Sequence, residues 1–210
     1  VKCQGHVVEP TYLTVAEVKA LTKGATASVK GVVIAKGTES LLIQDETGAI
    51  MLYKANNQAL FGETKVGDVV TAEGVYSPYK GLHEVANLTS LAIAETGTAP
   101  AVKELTAIDA ATIESLQCQI VSIELTYVSG TVGAGQNATF KDANENDVTV
   151  RGDAKWGTVE TMNLVPGTTV KVTAFVNWFN GAQLTNVPGY TFVEVLTVPA
   201  HTHTACPTCG

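Results

Sequence analysis

The side chains best suited to bind a metal ion lie at the two ends of the 210-residue chain. One end carries a C-x-x-H pair and the other a C-x-x-C pair, and each has the spacing at which two ligands reach one tetrahedral zinc ion. Together the two pairs supply a complete set of four zinc ligands. These residues are Cys3, His6, Cys206 and Cys209, with His201 and His203 as substitutes.

Two other interpretations of the ends use the same residues. The cysteines could form a disulfide, or each end could be a fragment of a longer cysteine-rich spacer. Zinc or a disulfide could join the ends within one chain, or join the tail of one copy to the head of the next. The sequence leaves these alternatives open.

A second set of residues is suited to stacking on planar ligands. Tyr79 and Lys80 fall in one predicted turn, and Trp178 and Phe179 fall in the corresponding turn of the second half of the chain. Burial in a core does not explain bulky aromatic side chains at exposed turns. Beside lysine, such rings can stack on nucleic-acid bases while the ammonium attracts phosphate. Sugar rings could stack on the same side chains.

The elements that would position these turns occur twice, in the same order. A capping box at Thr14 and Glu17 begins a short helix, and Gly31 inside the first strand indicates the bend that a small closed barrel needs. The strands predicted in the first half are 27–35, 40–44, 49–54, 69–76 and 82–93. The second half repeats the order with a helix at 109–116 and strands at 119–128, 138–142, 147–151, 168–178 and 182–196.

This repeated order predicts an all-β chain with two tandem five-stranded Greek-key barrels, each preceded by a short helix. A linker is predicted between them because Thr96–Lys103 is rich in small residues and contains Gly97 and Pro100. The predicted boundaries are 1–11 for the N-terminal Cys/His segment, 12–96 for the first barrel, 97–103 for the linker, 104–198 for the second barrel and 199–210 for the C-terminal Cys/His segment.

Three motifs in the first half carry a resemblance to a known family. They are Val29-Lys30-Gly31-Val32-Val33, Ile43-Gln44-Asp45-Glu46-Thr47-Gly48 and Gly67-Asp68-Val69-Val70. The series resembles the oligonucleotide/oligosaccharide-binding (OB) modules of bacterial secreted nucleases and surface proteins, well over Thr14–Ile93 and in outline over Asp109–Leu196. The resemblance implies an OB barrel and single-stranded nucleic acid as the default ligand class. It implies no catalysis, because the nuclease of such proteins is a separate domain.

An OB barrel binds its ligands on the second and third strands, on the loop between strands 1 and 2, and on the loop between strands 4 and 5. The aromatic and basic residues at those places are therefore the candidate ligand-binding residues. They are Tyr53, Lys54, Tyr76, Tyr79, Lys80 and His83 in the first half, and Lys141, Arg151, Trp178 and Phe179 in the second half.

Composition limits the classes of function. The net charge is −7, and Arg151 is the one arginine among 13 basic residues, which counts against a strong duplex-DNA binder. No apolar run approaches the roughly 20 residues that span a membrane. The chain also lacks P-loop, dinucleotide-binding and zinc-protease motifs, so we expect no enzyme.

These observations lead to two expected functions. The first is a non-catalytic binding module of a secreted or cell-surface bacterial protein, which engages single-stranded nucleic acid or glycan. The alternative is a structural repeat or subunit of an extracellular fibre or stalk. In that case the Cys and His residues of the ends would join it to neighbouring modules or to copies of itself.

Overall fold

The first helix begins at the predicted capping box. The computed structural model describes residues 11–200, and α1 spans Val15–Lys19 within them. The Thr14 hydroxyl accepts the Glu17 N–H at 3.2 Å, and the Glu17 carboxylate accepts the Thr14 N–H at 2.8 Å. Val15 and Val18 are fully buried, so this single turn is held by packing as well as by its cap.

Five strands follow α1 and close into a barrel. They are β1 (Thr26–Lys36), β2 (Leu41–Asp45), β3 (Gly48–Leu52), β4 (Asp68–Tyr76) and β5 (Glu84–Thr96). The strand order is β1-β2-β3-β5-β4, with β4 pairing back onto β1 and β3 parallel to β5. This is the strand order of an OB barrel, so the predicted fold is confirmed for this part of the chain.

The first strand pairs with two neighbours because it bends. Its first half, from Thr26, pairs with β4, and its second half, to Lys36, pairs with β2. The two halves meet near Gly31, where a Cβ would lie 3.0 Å from the Gln44 carbonyl oxygen. Glycine therefore permits a close approach of the two backbones, and the register shift itself follows between Val33 and Ala35.

The barrel interior is filled by alternating apolar side chains from every strand. Burying one Leu, Ile or Val side chain stabilises the fold by roughly 1.5–3 kcal/mol. The core residues of β1 to β5 include Ala27, Val29, Val33, Leu41, Ile43, Ile50, Leu52, Val70, Ala72, Tyr76, Val85 and Leu91.

Up to residue 200, the described chain contains seven further strands. They are β6 (Lys103–Leu105), β7 (Ile120–Gly130), β8 (Asn137–Lys141), β9 (Asp147–Arg151), β10 (Thr169–Trp178), β11 (Ala182–Thr185) and β12 (Val193–Thr197). They form one sheet in the order β12-β10-β11-β9-β8-β7-β6, in which β10 also pairs with β7. The second half is thus all-β and barrel-like, but with seven strands where five were predicted. Short 3₁₀ helices lie at Ala55–Asn57, Ala59–Phe61, Ile113–Leu116 and Ala154–Trp156.

Two predicted elements of the second half are wrong. The long final strand over 182–196 is interrupted after Thr185, because Pro188 has no N–H to donate and Gly189 adopts φ of 88°. The helix predicted over 109–116 is reduced to the 3₁₀ turn Ile113–Leu116. The Asp109 side chain caps this turn by accepting the Ala111 N–H, and the Asp109 carbonyl accepts the Ile113 N–H, but the chain continues as a 3₁₀ helix instead of an α-helix.

The described residues divide into two compact units. The first unit contains residues 11–101 together with Ser115–Gln119 and Trp178–Gly181, and the second contains the remainder. Between residues 11 and 200, no helix is long and apolar enough to cross a membrane.

Candidate ligand-binding site

The first element of the site is the tight hairpin that joins β4 to β5. Tyr79 and Leu82 exchange two backbone hydrogen bonds of 3.0 Å, which leaves Lys80 and Gly81 as the two central residues. Their φ angles are 53° and 91°, the positive values that a two-residue hairpin turn requires. This turn holds the Tyr79 side chain in solvent, 58% exposed.

The second element is the turn Trp178–Gly181, which belongs to the same unit. The Phe179 N–H donates to the Gly181 carbonyl at 2.9 Å, and the Asn180 N–H donates to the Lys80 carbonyl at 2.8 Å. A Cβ on Gly81 would lie 2.5 Å from the Trp178 indole, so that ring packs directly on the glycine backbone. The two turns are therefore fixed to each other through their main chains.

These contacts bring two exposed aromatic rings together. The Tyr79 and Phe179 ring centroids are 6.3 Å apart, and the ring planes are inclined by 56°. Phe179 is 51% exposed. We call Tyr79 and Phe179 the aromatic pair. Because both rings face solvent, a planar ligand ring can reach them without displacing any core side chain.

The residues around the aromatic pair differ in charge and burial. Lys80 is exposed within the turn, and the Lys23 ammonium donates to the Pro78 carbonyl at 3.4 Å. Glu84 is buried at the base of the hairpin. Burial raises the pKa of the Glu84 carboxyl to about 7, and the nearby Lys23 opposes that shift. Near neutral pH this carboxyl is therefore only partly ionised.

Tyr76 and His83 support the hairpin from below. Tyr76 is 4% exposed, and its hydroxyl lies 2.5 Å from His83 Nδ1 and 3.3 Å from the Lys19 carbonyl. The two rings stack with centroids 5.9 Å apart. Of these two predicted ligand-binding residues, Tyr76 lies in the core and His83 is half-buried, so they hold the hairpin in place.

Gln117 is a residue of this site that sequence reasoning missed. Its side-chain oxygen accepts the His83 N–H at 3.0 Å, and its side-chain nitrogen donates to the Gly81 carbonyl at 3.1 Å. It is fully buried, which is uncommon for glutamine unless both ends of the amide are bonded. Nothing in the local sequence distinguishes it, because its partners lie far away along the chain.

The usual ligand face of an OB barrel is buried in the first unit. Leu42, Ala49 and Met51 alternate with the core residues of β2 and β3, so they point out of the barrel, yet they are 0%, 0% and 6% exposed. An apolar, buried surface offers no access to a polar ligand. Tyr53 and Lys54 follow β3, where Tyr53 is half-buried and the Lys54 ammonium lies 5.4 Å from its ring centroid.

The corresponding strands of the second unit have a polar outer face. Thr139 of β8 pairs with Thr149 of β9, and both are only partly buried. Lys141 forms an ion pair with Asp147 at 2.9 Å, and this hydrogen bond raises the pKa of Lys141. The Arg151 guanidinium donates to Asn137 Oδ1 at 2.8 Å. Both basic side chains are thus engaged on their own sheet.

Cys118 is a buried, unreactive cysteine. It is fully buried and free, and burial raises the pKa of its thiol to about 12. A thiol of this pKa contributes almost no thiolate at neutral pH, and thiolate is the nucleophilic form.

The predicted zinc ligands lie outside the described residues. Cys3, His6, His201, His203, Cys206 and Cys209 all fall within 1–10 or 201–210. Zinc, a disulfide and end-to-end joining therefore stay predictions. Within 11–200 there is no cluster of three or more His, Cys, Asp or Glu side chains that could hold a metal ion.

Comparison with known proteins gave no family. No protein-family model and no curated protein matches the chain. Among solved structures, it is similar to the hypothetical protein ygiW from E. coli, with a TM-score of 0.35 and 15% identity over 40% of this chain and 90% of that one. It is also similar to p202 HIN1 in complex with 12-mer dsDNA, with a TM-score of 0.37 and 13% identity over 84% of this chain and 94% of that one.

A third similar structure is a Replication Protein A heterotrimer bound to ssDNA. Here the TM-score is 0.29 and the identity 9%, over 90% of this chain and 70% of that one. Because all these TM-scores are low, the OB assignment of the first unit rests on its own strand order.

Proposed function

We propose that this chain is a non-catalytic binding module that captures single-stranded nucleic acid on the aromatic pair. The observation that carries the proposal is that Tyr79 and Phe179, from two separate turns, are both more than half exposed and 6.3 Å apart. Stacking of one base on an aromatic side chain contributes about 1–3 kcal/mol with little regard to sequence. Lys80, exposed in the same turn, would attract the phosphate that follows the base.

The bracing of the two turns supports this proposal. The Lys80 carbonyl bonds to the Asn180 N–H, and the Gln117 side chain bonds to Gly81 and His83. A site whose backbone is already fixed loses less conformational entropy when the ligand binds. The aromatic pair is therefore suited to binding an extended strand without rearrangement.

The acidic composition sets the expected strength. With a net charge of −7, the chain as a whole repels phosphates and Lys80 attracts them only locally, so stacking must supply most of the binding free energy. We expect micromolar or weaker affinity, with a modest loss of affinity as salt is raised.

Alanine substitution of the aromatic pair tests the proposal. Tyr79→Ala and Phe179→Ala should each weaken binding of a fluorescently labelled single-stranded thymidine oligonucleotide by about tenfold, measured by anisotropy, because each removes one stacking surface. Both side chains are exposed, so the variants should fold normally. Tyr190→Ala, which removes an exposed tyrosine of the second unit, is the matched control and should bind like the wild type. Unchanged affinity in both Tyr79→Ala and Phe179→Ala would refute the assignment of the aromatic pair as the binding site.

Glycan is the second candidate ligand, and the net charge favours it. A neutral sugar ring stacks on exposed aromatic side chains without being repelled by a protein of charge −7. Salt separates the two candidates, because release of counterions makes nucleic-acid binding weaken as salt rises, whereas stacking of a neutral glycan does not depend on it. Binding of neutral oligosaccharides that is lost in Tyr79→Ala and is indifferent to salt would favour glycan.

We also propose that the second unit is a variant of the same barrel in which the fifth strand is interrupted and one edge strand is added. The pairings of β7 with β8, β8 with β9, β9 with β11 and β10 with β7 repeat those of β1 with β2, β2 with β3, β3 with β5 and β4 with β1. In both units the first three strands pair antiparallel in sequence, and the third strand then pairs parallel with the fifth. β11 and β12 together take the place of β5, because β12 pairs with the start of β10 as the end of β5 pairs with the start of β4. The added strand is β6.

We propose end-to-end joining of modules from the spacing of the terminal Cys and His residues, and a secreted or cell-surface setting from the resemblance to OB modules of secreted and surface proteins. End-to-end joining predicts assemblies that dissociate when a chelator or a reductant is added, as native mass spectrometry would report. Monomers that are indifferent to both treatments would refute the joining.

A further inference from the structure

The turn that carries Phe179 also contains an Asn-Gly pair. Asn180 and Gly181 are the only asparagine and glycine adjacent in that order in the sequence. Asn180 is exposed with φ of 56°, and a Cβ placed on Gly181 would meet no atom within 4 Å. The Asn180 side chain and the Gly181 backbone are therefore accessible at the tip of the β10–β11 hairpin.

This pair supports a spontaneous reaction that needs no other reagent than water. The Gly181 backbone nitrogen loses its proton and attacks Cγ of Asn180, so that a C–N bond forms and the side-chain amide leaves as ammonia. The product is a five-membered succinimide. Water then adds to either ring carbonyl and breaks the C–N bond there, giving aspartate or isoaspartate. The net change is one water gained and one ammonia lost, with no oxidation or reduction.

Because Gly181 has no side chain, we expect Asn180 to form the succinimide faster than any other asparagine of the chain. The attack requires the backbone nitrogen to swing toward Cγ, and glycine lacks the Cβ that hinders this motion. Asn87 provides an internal comparison, since it is also exposed and has φ of 50° but is followed by Leu88. The reaction at Asn180 also requires the Phe179 to Gly181 hydrogen bond to open, so it proceeds from a minor, locally open form of this braced turn.

We propose that Asn180 is a site of spontaneous deamidation that weakens ligand binding at the aromatic pair. The change places a carboxylate next to Phe179, in a protein that is already acidic, where it would repel phosphate. Isoaspartate also lengthens the main chain by one atom between the two hydrogen bonds that fix this turn, from Asn180 to Lys80 and from Phe179 to Gly181. The consequence for binding rests on the function proposed above, whereas the modification itself does not.

Ageing of the purified chain tests the modification. After incubation in mildly alkaline buffer at body temperature, peptide mapping should find the mass gain of a water-for-ammonia exchange at Asn180. Conversion at Asn180 should be at least about tenfold faster than conversion at Asn87, because only Asn180 precedes glycine. Asn180→Gln, whose longer side chain would have to close a larger ring, should stay unmodified at this position. A mass gain that is absent, or equally fast at Asn87, would overturn the proposal.

Binding of a thymidine oligonucleotide tests the consequence. Aged wild-type protein and Asn180→Asp should bind about tenfold more weakly than fresh protein, and aged Asn180→Gln should bind as it does when fresh. Unchanged binding by fully converted protein would overturn the link to the site. If fresh protein does not bind at all, the proposed function fails, and the peptide map still decides whether Asn180 deamidates.

Discussion

Replacing Asp142 by alanine is expected to destabilise the second unit by about 3 kcal/mol, because one buried carboxylate satisfies four donors. Its oxygens accept the backbone N–H groups of Ile108, Asn144 and Asn146 and the Asn146 side-chain amide, at 2.7–3.0 Å. Burial by itself would raise the pKa of this carboxyl, but the hydrogen bonds outweigh it and hold the pKa below the ordinary value. Its contribution to stability is therefore present above the unfolded pKa and is lost only in acid.

Tryptophan fluorescence during urea unfolding measures this effect. The chain has two tryptophans, so a Trp178→Phe background leaves Trp156, which is buried in the second unit, as the reporter. Asp147→Ala is the control, because Asp147 is exposed and its ion pair with Lys141 should contribute at most about 1 kcal/mol. If the Asp142 and Asp147 variants unfold at the same urea concentration, the hydrogen bonds of Asp142 do not stabilise the β8–β9 turn.

Asp45 performs the equivalent task in the first unit. One carboxylate oxygen accepts the Thr47 and Gly48 N–H groups of the β2–β3 turn, and the other accepts the Val15 N–H at the start of α1. In both units, therefore, an aspartate at the β2–β3 or β8–β9 hairpin ties that hairpin to the segment that directly precedes β1 or β7. The two halves of the chain share this device although few of their residues are identical.

Replacing Glu84 by glutamine is expected to raise stability in a pH-dependent way. The folded-state pKa of about 7 lies above the ordinary value of 4.5, so the folded protein binds the proton more tightly. The stability that the wild type gains from this tighter proton binding is fully present below pH 4.5 and is lost as the pH rises through about 7. After allowance for solvent screening of this carboxylate, Glu84→Gln should gain little relative to the wild type near pH 4.5 and on the order of 2–3 kcal/mol above about pH 8.

Urea unfolding followed by circular dichroism across this pH range checks the prediction. Glu73→Gln is the matched control, since Glu73 lies on β4 with an exposed side chain. Its unfolding free energy should follow that of the wild type at every pH. A gain in Glu84→Gln that is the same at low and high pH would show that burial of the charge is not its cause.

The sequence predicts those features that depend on neighbouring residues. The capping box at Thr14 and Glu17, the turns at Lys80-Gly81 and Asn180-Gly181, and the strands of the first barrel all follow from local pattern. The features that it does not predict depend on distant residues. The Gln117 bridge and the meeting of Tyr79 with Phe179 are contacts that no local periodicity encodes.

Burial of the expected ligand face is the most instructive difference. The alternation in β2 and β3 is not apolar and polar but apolar on both sides, with Leu42 and Met51 facing out of the barrel. A strand that is apolar on both faces is buried on both faces. The runs Leu-Leu-Ile in β2 and Ala-Ile-Met-Leu in β3 are apolar at consecutive positions, so the sequence itself indicates burial of both faces. The resemblance to OB modules instead predicts an exposed ligand face on these strands.

Backbone amide chemical shifts, followed while a single-stranded thymidine oligonucleotide is titrated, map the ligand contact directly. The binding proposal predicts that the largest changes occur at Tyr79–Leu82 and Phe179–Gly181, with little change along β8 and β9. Changes concentrated on β8 and β9, around Lys141 and Arg151, or absent from the whole chain, would contradict it.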